Sequence, residues 1–371
     1  MGAYFLVGFF ALAITYAVTP GVRWFARRIR AIDHPSDRKV HALPTPTLGG
    51  LAIFLGVVGA GVIASFMTDF EDVFRQSSEP LGIAAGALVI FFLGAVDDLR
   101  DLPAPVKLAG QVFAAGIMFL AGVRMQFLLL PDQTISLSDD VSVLVSVLWI
   151  VAMINAVNLV DGLDGLAAGI VAIASAAFFV YTFELTESFA LGPAPSAPLL
   201  AIALVGASLG FLRFNFYPAS IFMGDSGSML LGLLLGAATV AGVGNAASLE
   251  GVPATAQVFL AYFPLLIPLM VLLIPLVDTL LAIVRRARRR RSVFHADKEH
   301  LHHRLMDLGH GHRQAVIVMY VWSALAAGAG LAFSFLDRDD VIFALPVAVG
   351  AIVLYTLFPV LTKAIQDRIT P

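Results

Sequence analysis

Eleven apolar runs, each of about twenty residues and parted by short polar pieces, leave this chain few folds to choose from. A run of that length crosses a bilayer as a helix, because a helix satisfies its own backbone polar groups where no water can. The runs are Gly2–Val22, Thr47–Met67, Leu81–Val96, Val106–Gly122, Val141–Val157, Leu166–Phe183, Ala197–Phe214, Ile221–Val243, Val258–Val284, Ala315–Phe335 and Val341–Leu361. The chain is 59% hydrophobic and 13% charged, whereas a soluble domain is about half apolar and about a quarter charged. The expected fold is an all-α polytopic membrane protein of about 11 transmembrane helices, a single integral-membrane domain over residues 1–371. Met1–Val18 lacks a basic leading segment and reads as part of the first span, not as a cleavable signal. With no cysteine there is no disulfide framework and no thiolate chemistry.

Orientation follows from Lys and Arg. Of the 23 in the chain, 20 fall after odd-numbered spans or at helix ends on that side, and only Arg75, Arg124 and Arg338 fall opposite. The N-terminus is therefore expected outside and the C-terminus in the cytoplasm. The basic and histidine-bearing loop at 285–314 is then cytoplasmic, and so are all the polar clusters that look chemical. Between the fourth and fifth spans, Leu128–Ser138 is expected to form a small amphipathic element at the outer interface.

The densest of these clusters is NAVNLVDGLDG, Asn155–Gly165. Asn155, Asn158, Asp161 and Asp164 recur every third residue, and each such step drifts about 60° around a helix. One straight helix therefore cannot aim all four at one point, and Gly162 and Gly165 let it end or bend there. Polar side chains at the mouth of a membrane helix are costly and mark a site by default.

Asp97-Asp98 closes another run. Adjacent carboxylates suit a divalent cation or an acid/base pair, although exposed Asp also simply solvates a helix end. Lys107 begins the returning helix, where it either faces the same pocket or anchors the interface. FMGDSGS (Phe222–Ser228) sets Asp225 between glycines at a helix start. That suits a metal–diphosphate site, since Mg²⁺ takes one or two carboxylates plus phosphate oxygens; a plain helix cap is the bland reading. His300-Leu301-His302-His303 follows the basic run RRARRRR. His300 and His303 could share a helix face and bind zinc, or the histidines could bind phosphate. In the proline-rich Asp33–Gly50 segment, Lys39 and Thr47 could reach a nucleotide, or the segment is only a rigid linker.

Taken together, Asp97-Asp98, NAVNLVDGLDGLAAG, FNFYPASIFMGDSGS and HLHH resemble the motifs of the polyprenyl-phosphate N-acetylhexosamine-1-phosphate transferases, in the same order. Such enzymes move a sugar-1-phosphate from a UDP-sugar to a lipid phosphate and release UMP, using Mg²⁺, for which Mn²⁺ can substitute; the resemblance implies a multi-pass protein of the bacterial inner or plasma membrane. The resemblance implies Asp225 as the principal metal ligand and Asn158 as a second. It implies Asp97 and Asp98 as the dyad at the lipid phosphate, and Lys107 as a phosphate-binding lysine. Asp161 and Asp164 would lie around the nucleotide with Asn155, and Phe222 would stack on uracil. His300, His302, His303 and Arg304 would close over the diphosphate and sugar. HLHH, Ala42 and the early Lys39 are similar to the bacterial GlcNAc-1-phosphate branch, and depart from the muramyl-pentapeptide one. The expected partners are UDP-GlcNAc, undecaprenyl phosphate and a second copy in a homodimer, with no nucleic acid.

Two other classes compete. A proton-coupled transporter would place its carboxylates near the membrane midplane, whereas here they gather at helix ends. A zinc hydrolase would rest on His300 and His303 alone.

Overall fold

The computed structural model describes residues 1–35, 43–130, 133–189, 196–244, 265–272, 310–335 and 346–356. The long helices are α1 (Gly2–Arg28), α2 (Gly50–Ala64), the short α3 (Glu71–Gln76), α4 (Glu79–Arg100), α5 (Ala104–Leu120), α6 (Asp139–Val160), α7 (Leu166–Phe189), α8 (Ser196–Asn215), α9 (Gly224–Gly244) and α10 (His312–Phe335). Among the described residues seven helices are long and apolar enough to cross a membrane, or up to eight if Gly50–Ala64 and Thr68–Gln76 form one span bent by 96°. The chain is thus a polytopic α-helical membrane protein. The count of eleven includes runs met only in part: α5 has 17 residues, Val258–Val284 is described only at 265–272, and the last run only around Pro346–Thr356.

Two small antiparallel pairs interrupt the helices. β1 (Ile32–Asp33) lies beside β2 (Thr45–Pro46), with Ile32 opposite Pro46. β3 (Phe127–Leu130) pairs with β4 (Gln133–Ser136). The amphipathic element expected near Leu128–Ser138 therefore contains an antiparallel strand pair.

Helix α9 sits at the centre, packed against α2, α4, α6, α7 and α8. Of its apolar window 89% is buried, against 33% for α1 at the periphery. Lipid tails are as apolar as leucine, so close backbone approach and polar contacts must hold such helices together. Both occur here. In the GASLG segment of α8 a Cβ on Gly206 would collide with the carbonyl of Gly8, and one on Gly210 would come 2.6 Å from that of Leu12. Trp149 Nε1 of α6 donates to Thr239 Oγ1 of α9 at 2.7 Å. Because α9 is enclosed on so many sides, its N-terminus becomes the point where the other helix ends meet.

Candidate active site

Helix α4 closes on Asp101, a left-handed residue (φ 51) whose N–H donates to Asp97 O at 2.9 Å. Leu102 N–H then donates to Asp97 Oδ1 at 2.7 Å. Pro103 starts the return, so α5 comes back beside α4 after three residues, and Lys107 in its first turns faces Asp97. Lys107 Nζ pairs with Asp97 Oδ2 and lies 3.1 Å from Asp225 Oδ2 on α9. From the end of α6, Asn158 Nδ2 donates to Asp225 Oδ1 at 2.8 Å and to Ser228 Oγ at 2.9 Å. Four helices thus place Asp97, Lys107, Asn158 and Asp225 in one cluster. The Asp97 side chain is 1% exposed, whereas Lys107 is 25% and Asp225 33% exposed. A ligand therefore meets Asp225 and Lys107 first, and Asp97 only behind them.

The two adjacent aspartates diverge. Asp98 turns to the start of α9, where Oδ1 accepts from Asp225 N at 2.7 Å. Its Oδ2 accepts from Ser226 N at 3.3 Å and Ser226 Oγ at 2.8 Å. Gly224 (φ 68) leaves room for this, since a Cβ there would collide with both Asp98 carboxylate oxygens and Thr47 Oγ1. Thr47 is buried against this helix start. Backbone bonds stitch its loop to the Phe222 segment: Phe222 N to Pro46 O at 2.8 Å, Gly49 N to Phe222 O at 2.9 Å and Gly50 N to Met223 O at 3.0 Å. Half-buried Phe222 is held by its backbone at this edge.

The NAVNLVDGLDG stretch divides as its three-residue drift requires. Asn155 Nδ2 donates to Gln111 Oε1 of α5 at 2.8 Å and to Val151 O at 2.8 Å. Asn158 meets Asp225, and the helix ends at Val160. Asp161 lies in the following turn, half-buried. Burial first, then the negative charges of Asp225, Asp98 and Asp164, push its carboxyl up to about 8. Asp164 Oδ2 accepts from Ala219 N at 2.9 Å. Buried Asn215 closes the arrangement: its Oδ1 accepts from Gly165 N at 3.1 Å and its Nδ2 donates to Ile221 O at 3.1 Å.

The start of α10 docks on the same loop. The His312 ring stacks on Tyr217 with centroids 4.2 Å apart, and Arg313 Nε donates to Tyr217 O at 2.9 Å. Tyr320 O–H donates to Gly165 O. Lys39, His300, His302, His303 and Arg304 lie outside the described residues.

Several contributors escaped the sequence reading. Gln111 sits in a helix where one polar residue is unremarkable, and Ser226 and Ser228 belong to FMGDSGS without a role of their own; only packing shows what each one meets. Asn215 and Tyr217 belong to FNFYPAS, whose motif character offered a signal without a role.

Comparison with known proteins decides the family. A decaprenyl-phosphate N-acetylglucosaminephosphotransferase from Mycobacterium tuberculosis (strain ATCC 25618 / H37Rv) is 40% identical over 366 residues, covering 96% of this chain and 89% of that protein. The chain belongs to the polyprenyl-phosphate N-acetylglucosamine-1-phosphate transferase family. The sequence profile described as Glycosyl transferase family 4 matches residues 80–243. That stretch runs from α4 through α9 and contains every member of the Asp97–Lys107–Asn158–Asp225 cluster. An undecaprenyl-phosphate alpha-N-acetylglucosaminyl 1-phosphate transferase from Thermotoga maritima is 29% identical over 290 residues, 78% of each chain. A phospho-N-acetylmuramoyl-pentapeptide-transferase from Desulforudis audaxviator is 35% identical, but over 58% of this chain and 67% of its own. The resemblance to this transferase family read from the motifs therefore holds, and the muramyl branch fits less of the chain.

Proposed function

We propose that this enzyme transfers GlcNAc-1-phosphate from UDP-GlcNAc to a polyprenyl phosphate, giving polyprenyl-diphosphate-GlcNAc and UMP. An oxygen of the lipid phosphate bonds to the β-phosphorus of the donor. The bond from that phosphorus to the bridging oxygen breaks, and UMP leaves with the electron pair. The observation that carries this reading is the Asp97–Lys107–Asn158–Asp225 cluster at the ends of four membrane helices, in a chain similar over nearly its whole length to transferases of that name.

Bringing two phosphates together means overcoming their repulsion, so the site needs positive charge held in place. Lys107 supplies some of it, and an arriving diphosphate competes with Asp97 and Asp225 for its ammonium. Asp97, buried behind Lys107, holds that ammonium and is the side chain we assign to orient or deprotonate the acceptor phosphate through it. Mg²⁺ is the proposed cofactor, and it fits the donors present. The partly exposed Asp225 carboxylate and the amide of Asn158 are hard oxygen ligands of the kind that cation takes alongside phosphate oxygens and water. Asn158 would have to turn its Oδ1 outward, since here its Nδ2 faces Asp225. When bound, the cation would neutralise charge on the diphosphate.

The lysine and arginine bias supports a site on the cytoplasmic face, and the bacterial inner membrane is the location that the family resemblance implies. The HLHH loop with Arg304, and Phe222, keep the donor-binding roles that the family resemblance implies, Lys39 keeps the nucleotide contact read from its loop, and pairing into a homodimer rests on the resemblance alone.

The test is transfer from radiolabelled UDP-GlcNAc to undecaprenyl or decaprenyl phosphate in detergent, with and without Mg²⁺, beside UDP-MurNAc-pentapeptide. Labelled lipid with stoichiometric UMP, only with GlcNAc and Mg²⁺, supports the whole reading. Transfer from the pentapeptide donor keeps the chemistry and overturns the donor. A labelled phosphosugar adduct on an aspartate, formed without lipid, replaces direct attack by a two-step route.

A further inference from the structure

The start of α9 lacks a cap of its own. The residue before Gly224 is Met223, whose thioether cannot serve the free amides of the first turn. Those amides at the second and third helical positions are Asp225 and Ser226, the two that a capping side chain ordinarily takes. Both are taken here by Asp98 from another helix, 2.7 Å from Asp225 N and 3.3 Å from Ser226 N, with Ser226 Oγ adding a third bond at 2.8 Å. A carboxylate at this end also meets the positive pole of the helix. The approach is built in on both sides. A Cβ on Gly94, one turn earlier on α4, would collide with the Ser226 backbone, and Gly224 admits the carboxylate itself.

We propose that Asp98 is a positioning residue: it caps α9 from α4, and so fixes the Asp225 carboxylate against Lys107 and Asn158. It does not exchange a proton with substrate. The two aspartates of the dyad then divide the work, Asp97 facing the ammonium and Asp98 holding the helix that presents Asp225. The activity arm of the test rests on the transferase reading, and the exchange arm does not.

The experiment compares Asp98→Asn, Asp98→Ala and Ser226→Ala in the full-length protein in detergent. It reads amide hydrogen exchange of the peptide covering Asp225 and Ser226, together with kcat and KM for UMP release. Asp98→Asn keeps a capping oxygen, so protection and kcat should stay within about tenfold of wild type. Asp98→Ala should cost about tenfold in protection of those amides, with kcat falling and KM little changed. Ser226→Ala, the milder change, should lower both by about fivefold. The cap is overturned if Asp98→Asn keeps full protection yet loses about 10²–10⁴-fold in turnover, as removal of a general base would. It is equally overturned if neither Asp98→Ala nor Ser226→Ala alters exchange. If wild type releases no UMP from any UDP-sugar, the transferase reading fails, while the exchange result still decides the cap.

Discussion

Lys107 Nζ lies 3.1 Å from Asp225 Oδ2 while also pairing with Asp97, so one ammonium serves carboxylates from two helices. Asp97 is the dependent partner, because its side chain is 1% exposed and has little water to fall back on. Lys107→Met should therefore strand a buried charge and cost about 3 kcal/mol, close to what breaking a buried pair costs. The Asp97→Asn/Lys107→Met double variant should recover most of that. Thermal unfolding of the four-member cycle in detergent checks both expectations.

Asp225 is the most exposed acid of the cluster and the one shared by Lys107 and Asn158. Asp225→Ala should lower turnover by at least about 10²–10³-fold, the range for losing one preorganised electrostatic partner. Steady-state UMP release at saturating Mg²⁺ measures it. A near-normal kcat there would contradict a metal-ligand role.

Asn215 joins the Gly165 turn to the Ile221 segment through both ends of one amide. Asn215→Ala would orphan a buried N–H and a buried C=O, each worth about 1–3 kcal/mol. A lowered Tm should accompany reduced activity. Asn215→Asp should do as badly, because a carboxylate cannot donate to Ile221 O.

Asp161 gives a pH signature. Its carboxyl titrates at about 8 in the folded protein, against 3.8 for an unperturbed Asp. Between these values the folded state holds a proton that the unfolded chain has released, so stability falls as pH rises through that window. The loss is absent below the lower value and complete above the upper one. Asp161→Asn removes it. The Tm of wild type should drop below that of the variant as pH is raised from about 6 to about 9.

Gly224→Ala should be severe, since φ there is 68° and the new Cβ would strike Asp98 and Thr47. A loss of about 1–3 kcal/mol from the backbone strain alone is expected, with activity falling further. Thermal unfolding and UMP release, read side by side, check it.

The membrane class, most helices and the Asp97, Lys107, Asn158 and Asp225 cluster were legible in the sequence because each leaves a local mark. A long apolar run, a charge at its end, or a glycine beside an acid can be read without knowing any neighbour. The split between Asp97 and Asp98 could not be read, because both sit at the same helix end and only the position of α9 tells them apart. The bond from the Asn155 amide to Gln111 could not be read either, because the rotation of α6 against α5 decides it. Gln111 carries no local mark at all, and Asn215 and Ser228 lie in motifs that give them no role. The pairing of Phe127–Leu130 with Gln133–Ser136 was expected only as an amphipathic element, since a short apolar stretch does not announce its pairing.

The bond from Asp98 to the Asp225 amide joins residues 127 positions apart, which bears on how the enzyme is made. At about 5–20 residues per second, the ribosome finishes α4 about 6–25 s before the start of α9 emerges. Through that wait Asp98 lacks the helix it will cap, whereas Asp97 meets Lys107 as soon as α5 follows; an acid stranded at mid-bilayer would cost about 2.5–3.5 kcal/mol during insertion. Asp98 stands in the last turn of α4, at the end of the apolar span and not in its middle. An acid at the end of a span, unlike one at its middle, can stay near water in the half-built protein until its partner arrives.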